Sequence, residues 1–236
     1  MGGYVKKLNY LFFIIWLSLI PWSSALGTVG FGVQGGQSIF DASSKSSKDG
    51  VDLTTSEFVN PFSGGVYLYI DVIPFIDLEA DISLSAKKYS FTFSPLAEYN
   101  DIGPYDFVWA DFSVYLTARK KIVGIGIPLL AKAKLFYGGG INMNTVTPVM
   151  DLDFMEDILG EDLTNDPANF SVSEKDLIDF LENNQVKTNG FHIQSGLQFK
   201  ILMLDTFLFY RHTFAKDVIP GQDHFGSLNL RMGMGF

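Results

Sequence analysis

Cysteine is missing from this chain, which removes both a disulfide framework and lipid attachment at a processed cysteine. Charge is scarce as well: 18% of the residues are charged against 47% hydrophobic, and acids outnumber bases 26 to 17. A net charge of −9 argues against nucleic acid as a partner, because phosphate backbones demand basic surface. After the first 25 residues no apolar run approaches the ~20 residues of a spanning helix. Enzyme signatures are thin. No G-x-S-x-G stretch occurs, and the three histidines have no metal-ligand spacing. In FHIQSG, His192 and Ser195 differ in strand parity, so a nucleophile and its base would point to opposite faces.

What the chain does have begins with an address. Lys6 and Lys7 precede the apolar run Leu11–Ile20, Pro21 breaks it, and SSALG follows, which is the order of a secretory signal peptide. Cleavage after Ala25 is expected, with Gly27 as the near alternative. Residues 1–25 are thus read as a removed leader and 26–236 as one all-β domain. Processing would leave a net charge of −11, since the leader carries two lysines and no acid.

From Thr28 on, the dominant hydrophobic period is two. Alternating stretches occur at 28–36, 65–73, 75–89, 107–119, 129–140, 190–200, 204–214 and 227–236, which gives eight strands. The stretch at 204–214 separates its faces least cleanly, and a bulge near Phe207–Tyr210 would account for that. Long and short connections alternate. The long ones fall at about 37–64, 91–106, 141–189 and around DVIPGQDH, whereas KKIVGIGIP reads as a short basic connection. In an up-and-down meander the long loops therefore gather at one end, and both termini lie at the other.

Such alternation fits a soluble barrel with an apolar inside or a membrane barrel with an apolar outside. The clean apolar faces carry no charge, as lipid requires. The opposite faces mix both signs with glycine and serine: Asp77, Glu79, Asp81 and Asp111 come from two strands, Lys132, Lys134, Lys200 and Arg231 from later ones. Loop asymmetry and strand length favour the membrane as well. The expected fold is an all-β, eight-stranded antiparallel up-and-down transmembrane β-barrel. Its eight named charged residues would pair across a narrow lumen, because unpaired buried charge is costly.

The terminal stretch SLNLRMGMGF resembles the last-strand signature of bacterial outer-membrane β-barrel proteins, and the whole pattern is similar to the small eight-stranded members of that class. That resemblance implies outer-membrane lipid as the surroundings. It also implies transient contact with periplasmic chaperones and the barrel-assembly machinery, with Phe236 as part of the assembly signal. Short helices are expected within the extracellular insertion, in DLDFMEDILGEDL and SVSEKDLIDFLENN, the latter with Ser173 as N-cap. The acids of the first lack the glycine and ligand spacing of an EF-hand loop, so neither metal nor cofactor is expected. Tyr89, Phe91, Phe93, Tyr105, Phe107 and Trp109 read as an interfacial girdle, with a mouth for an apolar ligand as the alternative.

The leading expectation is a non-enzymatic surface or structural protein whose lumen is closed by ion pairs. The alternatives are a narrow channel or transporter for a small or hydrophobic solute and, third, a lipid-modifying enzyme.

Overall fold

The computed structural model describes residues 29–42, 45–48, 51–73, 76–94, 101–127, 130–152, 181 and 183–236. The leader read at 1–25 lies outside the described residues. So does most of the sequence expected to form the two helices, 153–180.

Among the described residues twelve strands follow one another: β1 (Val29–Ile39), β2 (Asp41–Ala42), β3 (Lys45–Lys48), β4 (Val51–Thr55), β5 (Phe58–Val59), β6 (Phe62–Ile73), β7 (Ile76–Ser94), β8 (Ile102–Ile127), β9 (Ala131–Val146), β10 (Val186–Ile201), β11 (Leu204–Ile219) and β12 (Gln222–Gly235). The eight long ones pair antiparallel with their neighbours in chain order, and β12 pairs back onto β1 from Gly30↔Gly235 to Ile39↔Gly226. The result is a closed eight-stranded barrel, without which a wide sheet would expose two unpaired edges.

Closure carries a definite stagger. Followed through paired residues, the path from Val29 runs by Ile70, Leu78, Ala118, Gly139, Ile193, His212 and Gly226 and returns to β1 at Ile39. It has climbed ten residues along that strand. With ordinary strand spacings, ten residues of climb over eight strands tilt the strands by about 41° from the barrel axis.

Period-two alternation translates directly into inside and outside. On β7, Glu79, Asp81, Ser83 and Ser85 are buried, while Leu78, Ile82 and Leu84 are exposed. Exposed apolar side chains circle the barrel, among them Val33, Leu68, Phe112, Ile193, Leu208 and Leu230. The belt ends upward at outward-facing Lys88, Lys187 and Lys216, all exposed. From Ile76 to Ala86 its height is about 25 Å at 3.3 Å per residue and this tilt.

Beyond the belt, several segments read as connections are strand. KKIVGIGI is the lower part of β8, paired with β9 from Lys121↔Phe136 to Ile127↔Ala131. β9 and β10 stay paired up to Val146↔Val186, so the insertion spans 147–185, shorter at both ends than 141–189. The segment around DVIPGQDH closes in a tight turn at Gly221, where φ is +72°. Within 37–64, β3 and β4 form a hairpin whose second strand adds to the upper end of β7. No bulge interrupts 204–214: β11 holds one register from Leu204↔Met234 to Phe214↔His224, and its irregularity lies above, between Phe214 and Ile219.

The expected aromatic girdle is largely interior. Tyr89, Phe91, Phe93 and Trp109 are buried and pack with Phe40, Leu53, Phe58, Met150 and Phe225 into an apolar core above the barrel. Only Tyr105 of the six is exposed. The strands overshoot the belt, so inward residues at their upper ends meet loop residues there instead of water.

Closure is testable in a chain without cysteine. Ser38 and Ser227 are direct partners across the β1–β12 seam, at a separation that a disulfide spans. The pair Ser38→Cys with Ser227→Cys is expected to oxidise within one molecule, giving a heat-denatured species that runs faster on a non-reducing gel. An open seam would leave both thiols free to alkylation.

Candidate functional site

The interior is organised in tiers, and the central tier carries the charge. Parity on β7 aims Glu79 and Asp81 inward, 4% and 1% exposed. Three arginines reach them from different strands: Arg119 on β8, Arg211 on β11 and Arg231 on β12. Arg211 holds Asp81 as a fork, Nη1 to Oδ1 at 3.0 Å and Nη2 to Oδ2 at 2.8 Å. Arg231 bridges both acids, through Nη2 to Asp81 at 2.5 Å and Nη1 to Glu79 at 3.0 Å. Arg119 joins Glu79 at 3.4 Å to Asp77 at 3.1 Å.

Two glutamines complete the lattice. Gln34 donates to Asp81 and accepts from Arg231, while Gln194 donates to Glu79 and accepts from Arg211. These amides matter because a buried ion needs more partners than one counter-ion supplies.

The flat faces of the guanidinium groups are occupied by aromatic rings. Arg211 lies 3.9 Å from the Tyr115 ring centroid, Arg231 4.4 Å from Phe209, and Arg119 4.7 Å from Phe207 and 4.8 Å from Phe136. Each arginine therefore spends its edge on carboxylates and its face on π-density, the two uses a planar cation allows. Phe136, Phe207 and Phe209 form an inner aromatic cluster with Tyr67 and Tyr69.

Below this lies Asp205, which accepts from the Tyr69 hydroxyl and from Gln198 at 2.8 and 2.9 Å. Above it, Thr117 meets His192 Nε2 at 2.9 Å, and Asp111 accepts from Ser113 at 2.6 Å and from Asn144 at 3.2 Å. Outside the belt, burial pushes the Tyr89 phenol up, and its oxygen accepts the Met150 N–H at 3.0 Å.

The sequence-derived set divides under this geometry. Asp77, Glu79, Asp81 and Arg231 share one network. Lys134 stands apart near the lower mouth, 3.3 Å from Asp71. Asp111 is buried among amides and a hydroxyl, and neither Lys132 nor Lys200 enters an ion pair among the described residues. Arg119 and Arg211 were not among the eight. Arg119 has the parity of Asp111 on a cleanly alternating strand and was readable from that alone. His192 is buried and Ser195 exposed on the opposite face, hydrogen-bonded to the Phe136 carbonyl. Phe236 ends the seam: its N–H donates to the Val29 carbonyl at 2.9 Å and its outward ring lies 6.0 Å from Phe31.

No known family model matches the chain, and no curated protein matches it by sequence. Among solved structures it is similar to Neisserial surface protein A, with TM-score 0.44 and 12% identity over 89% of this chain and 99% of that one. With the same coverage it is similar to Ail of Yersinia pestis in complex with the heparin analogue sucrose octasulfate, at 0.43 and 11%. The N-terminal β-barrel domain of Pseudomonas aeruginosa OprF gives 0.42 and 9%, again over 89% and 99%.

Truncating one member of the central lattice strands the others. Arg231→Met is expected to cost about 3–5 kcal/mol, because Glu79 and Asp81 would each keep a buried charge with a partner removed. Adding Asp81→Asn is expected to recover part of the loss, whereas Lys132→Met stays within about 0.5 kcal/mol. Urea unfolding of the protein folded into lipid vesicles would measure all three.

Proposed function

We propose that the chain is an outer-membrane β-barrel of a two-membrane bacterium, a non-enzymatic surface protein with a closed lumen. The observation that carries this reading is the belt: predominantly apolar, about 25 Å high and running around a barrel whose buried interior is polar. In water such a surface would be a severe aggregation liability, while in lipid it is the only tolerable exterior. The order of residues expected of a leader at 1–25 supports the same address. Lipid is then the permanent partner, and chaperones and the barrel-assembly machinery are transient ones, with Phe236 part of the signal they read.

The end bearing both termini and the turns after β6, β8 and β10 faces the periplasm. The opposite end faces outward, with the β3–β4 hairpin, the apolar core and the 147–185 insertion; contact with other cells or molecules would be made there. Support for closure comes from burial: Glu79, Asp81, Arg119, Arg211 and Arg231 lie across the barrel at mid-height, all at or below 4% exposure. A channel would need a path past three arginines that are already bonded on edge and face. The pairing of His192 with Ser195 lends lipid-directed catalysis no support, since His192 sits inside and Ser195 lies on the outer face.

Two measurements test this. The processed protein is expected to require detergent or lipid to remain in solution, and to be electrically silent in a planar bilayer. Steady unitary conductance would replace closure with the channel reading. In intact cells, Ser47→Cys on the outer hairpin should react with a membrane-impermeant maleimide, and Ile125→Cys on the lower hairpin should not. The reverse pattern would invert the orientation.

A further inference from the structure

One part of the barrel wall continues where the rest stops. β7 begins at Ile76, and its lowest interior pair is Asp77↔Arg119, yet β8 runs on to Ile127. Among the described residues, Lys121–Ile127 have β9 on one side and no strand on the other. With the stagger given above and the irregularity after Lys121, Ile127 lies roughly 10 Å below the level of Val29. All of Lys121–Ile127 is exposed. The β8–β9 hairpin is therefore a single-layer finger whose free edge is regular over Val123–Ile127 and is set off from Lys121 by an irregularity between Lys121 and Val123.

Its two faces differ. Val123, Ile125 and Ile127 share the outer face with Ala131, Ala133 and Leu135, and Ile125 is 77% exposed. The inner face is glycine under lysine. The stem of Lys132 lies over Gly126, and those of Lys134 and Lys121 over Gly124, so near that a Cβ there would meet them at 3.1–3.4 Å. Charge is segregated along the chain too: no acid occurs between Asp111 and Asp151, in a protein with nine more acids than bases.

An unpaired, apolar strand edge is a template for strand addition, and natural proteins rarely leave one uncovered. A second copy cannot cover it. Two barrels in one membrane are related by an axis along its normal, so their β8 strands would cross at about twice the 41° tilt. Lipid could cover the outer face, but it offers nothing to the free backbone N–H and C=O groups of the edge.

We propose that this finger binds an extended segment of a periplasmic protein by strand addition to Lys121–Ile127. The segment runs antiparallel to β8 and alternates apolar side chains on the outer face with acidic ones toward Lys121 and Lys132. Main-chain hydrogen bonds supply affinity, and the two faces supply register and charge preference. The partner's compartment rests on the outer-membrane reading above.

The probes are two soluble, capped seven-residue peptides, one alternating valine with glutamate and the other valine with lysine. They are added to the full processed chain in phosphatidylethanolamine–phosphatidylglycerol nanodiscs, and amide hydrogen exchange is followed at residues 121–127. The glutamate peptide is expected to slow exchange there at least fivefold and the lysine peptide to leave it unchanged. Lys121→Glu with Lys132→Glu, both away from the central network, should reverse that preference by about tenfold. Protection by neither peptide, or by both equally, would overturn the docking edge. So would amides at 121–127 that are already protected in the empty nanodisc, which would show lipid or a second copy on the edge. Failure of the chain to enter nanodiscs would overturn the outer-membrane reading, and the periplasmic partner with it.

Discussion

Everything inside this barrel is arranged around the cost of burying Glu79 and Asp81. Two carboxylates on one strand, separated by one residue, point into the same narrow space, and their mutual repulsion has to be offset there. Three guanidinium groups do so, from β8, β11 and β12, and the geometry excludes simpler substitutes. A lysine could neutralise one charge but could not fork onto Asp81 as Arg211 does, nor bridge both acids as Arg231 does. Because Arg211 and Arg231 come from β11 and β12, across the ring from β7, their pairing with β7 spans the lumen, whereas Arg119 reaches in from the adjacent β8. The tier therefore acts as an internal brace as well as a charge balance.

The brace explains why the interior is not uniformly polar. A guanidinium edge committed to carboxylates leaves two bare faces, and Tyr115, Phe136, Phe207 and Phe209 cover them. The aromatic residues in turn require small neighbours. Gly233 leaves room for the Tyr67 hydroxyl, and Gly235 for that of Tyr69. A Cβ at Gly235 would meet Asp205 at 3.2 Å and Lys200 at 2.9 Å. The glycines of the last strand are thus a consequence of the aromatic tier, which is itself a consequence of the arginines.

The same chain of cause shows what could be read without coordinates. Period-two alternation gave the side of the wall for the charged residues of β7 and for Arg231, because on those strands apolar meant outside. On β11 the equation fails. Phe207 and Phe209 face inward beneath arginines, so an aromatic pair occupies the polar face and blurs the pattern, although the parity never slips. That blurring hid Arg211. The aromatics at 89–109 misled for a related reason: above the belt, an inward aromatic packs on a loop and an outward one meets headgroups, and sequence alternation cannot say where the belt ends. Hairpin length was beyond reach altogether. KKIVGIGI carries glycine and lysine, which read as a turn, yet glycine is what allows lysine stems to lie flat across a two-stranded finger.

One stagger sets both the closure of the barrel and the level at which each turn is expected. Ten residues of climb around eight strands fix the tilt, and the tilt fixes where each turn must lie for the apolar belt to be a level ring. The turns after β6 and β10 meet that requirement within about two residues, as does the end of β12; the turn after β8 overshoots by about four. The membrane does not demand the overshoot, since the belt on β8 is already complete at Lys120. Nor does it help close the barrel, since β7 has ended. An extension of the wall that serves neither lipid nor closure, apolar on one face and basic on the other, needs a different reason to persist, and the proposed strand addition at its free edge supplies one.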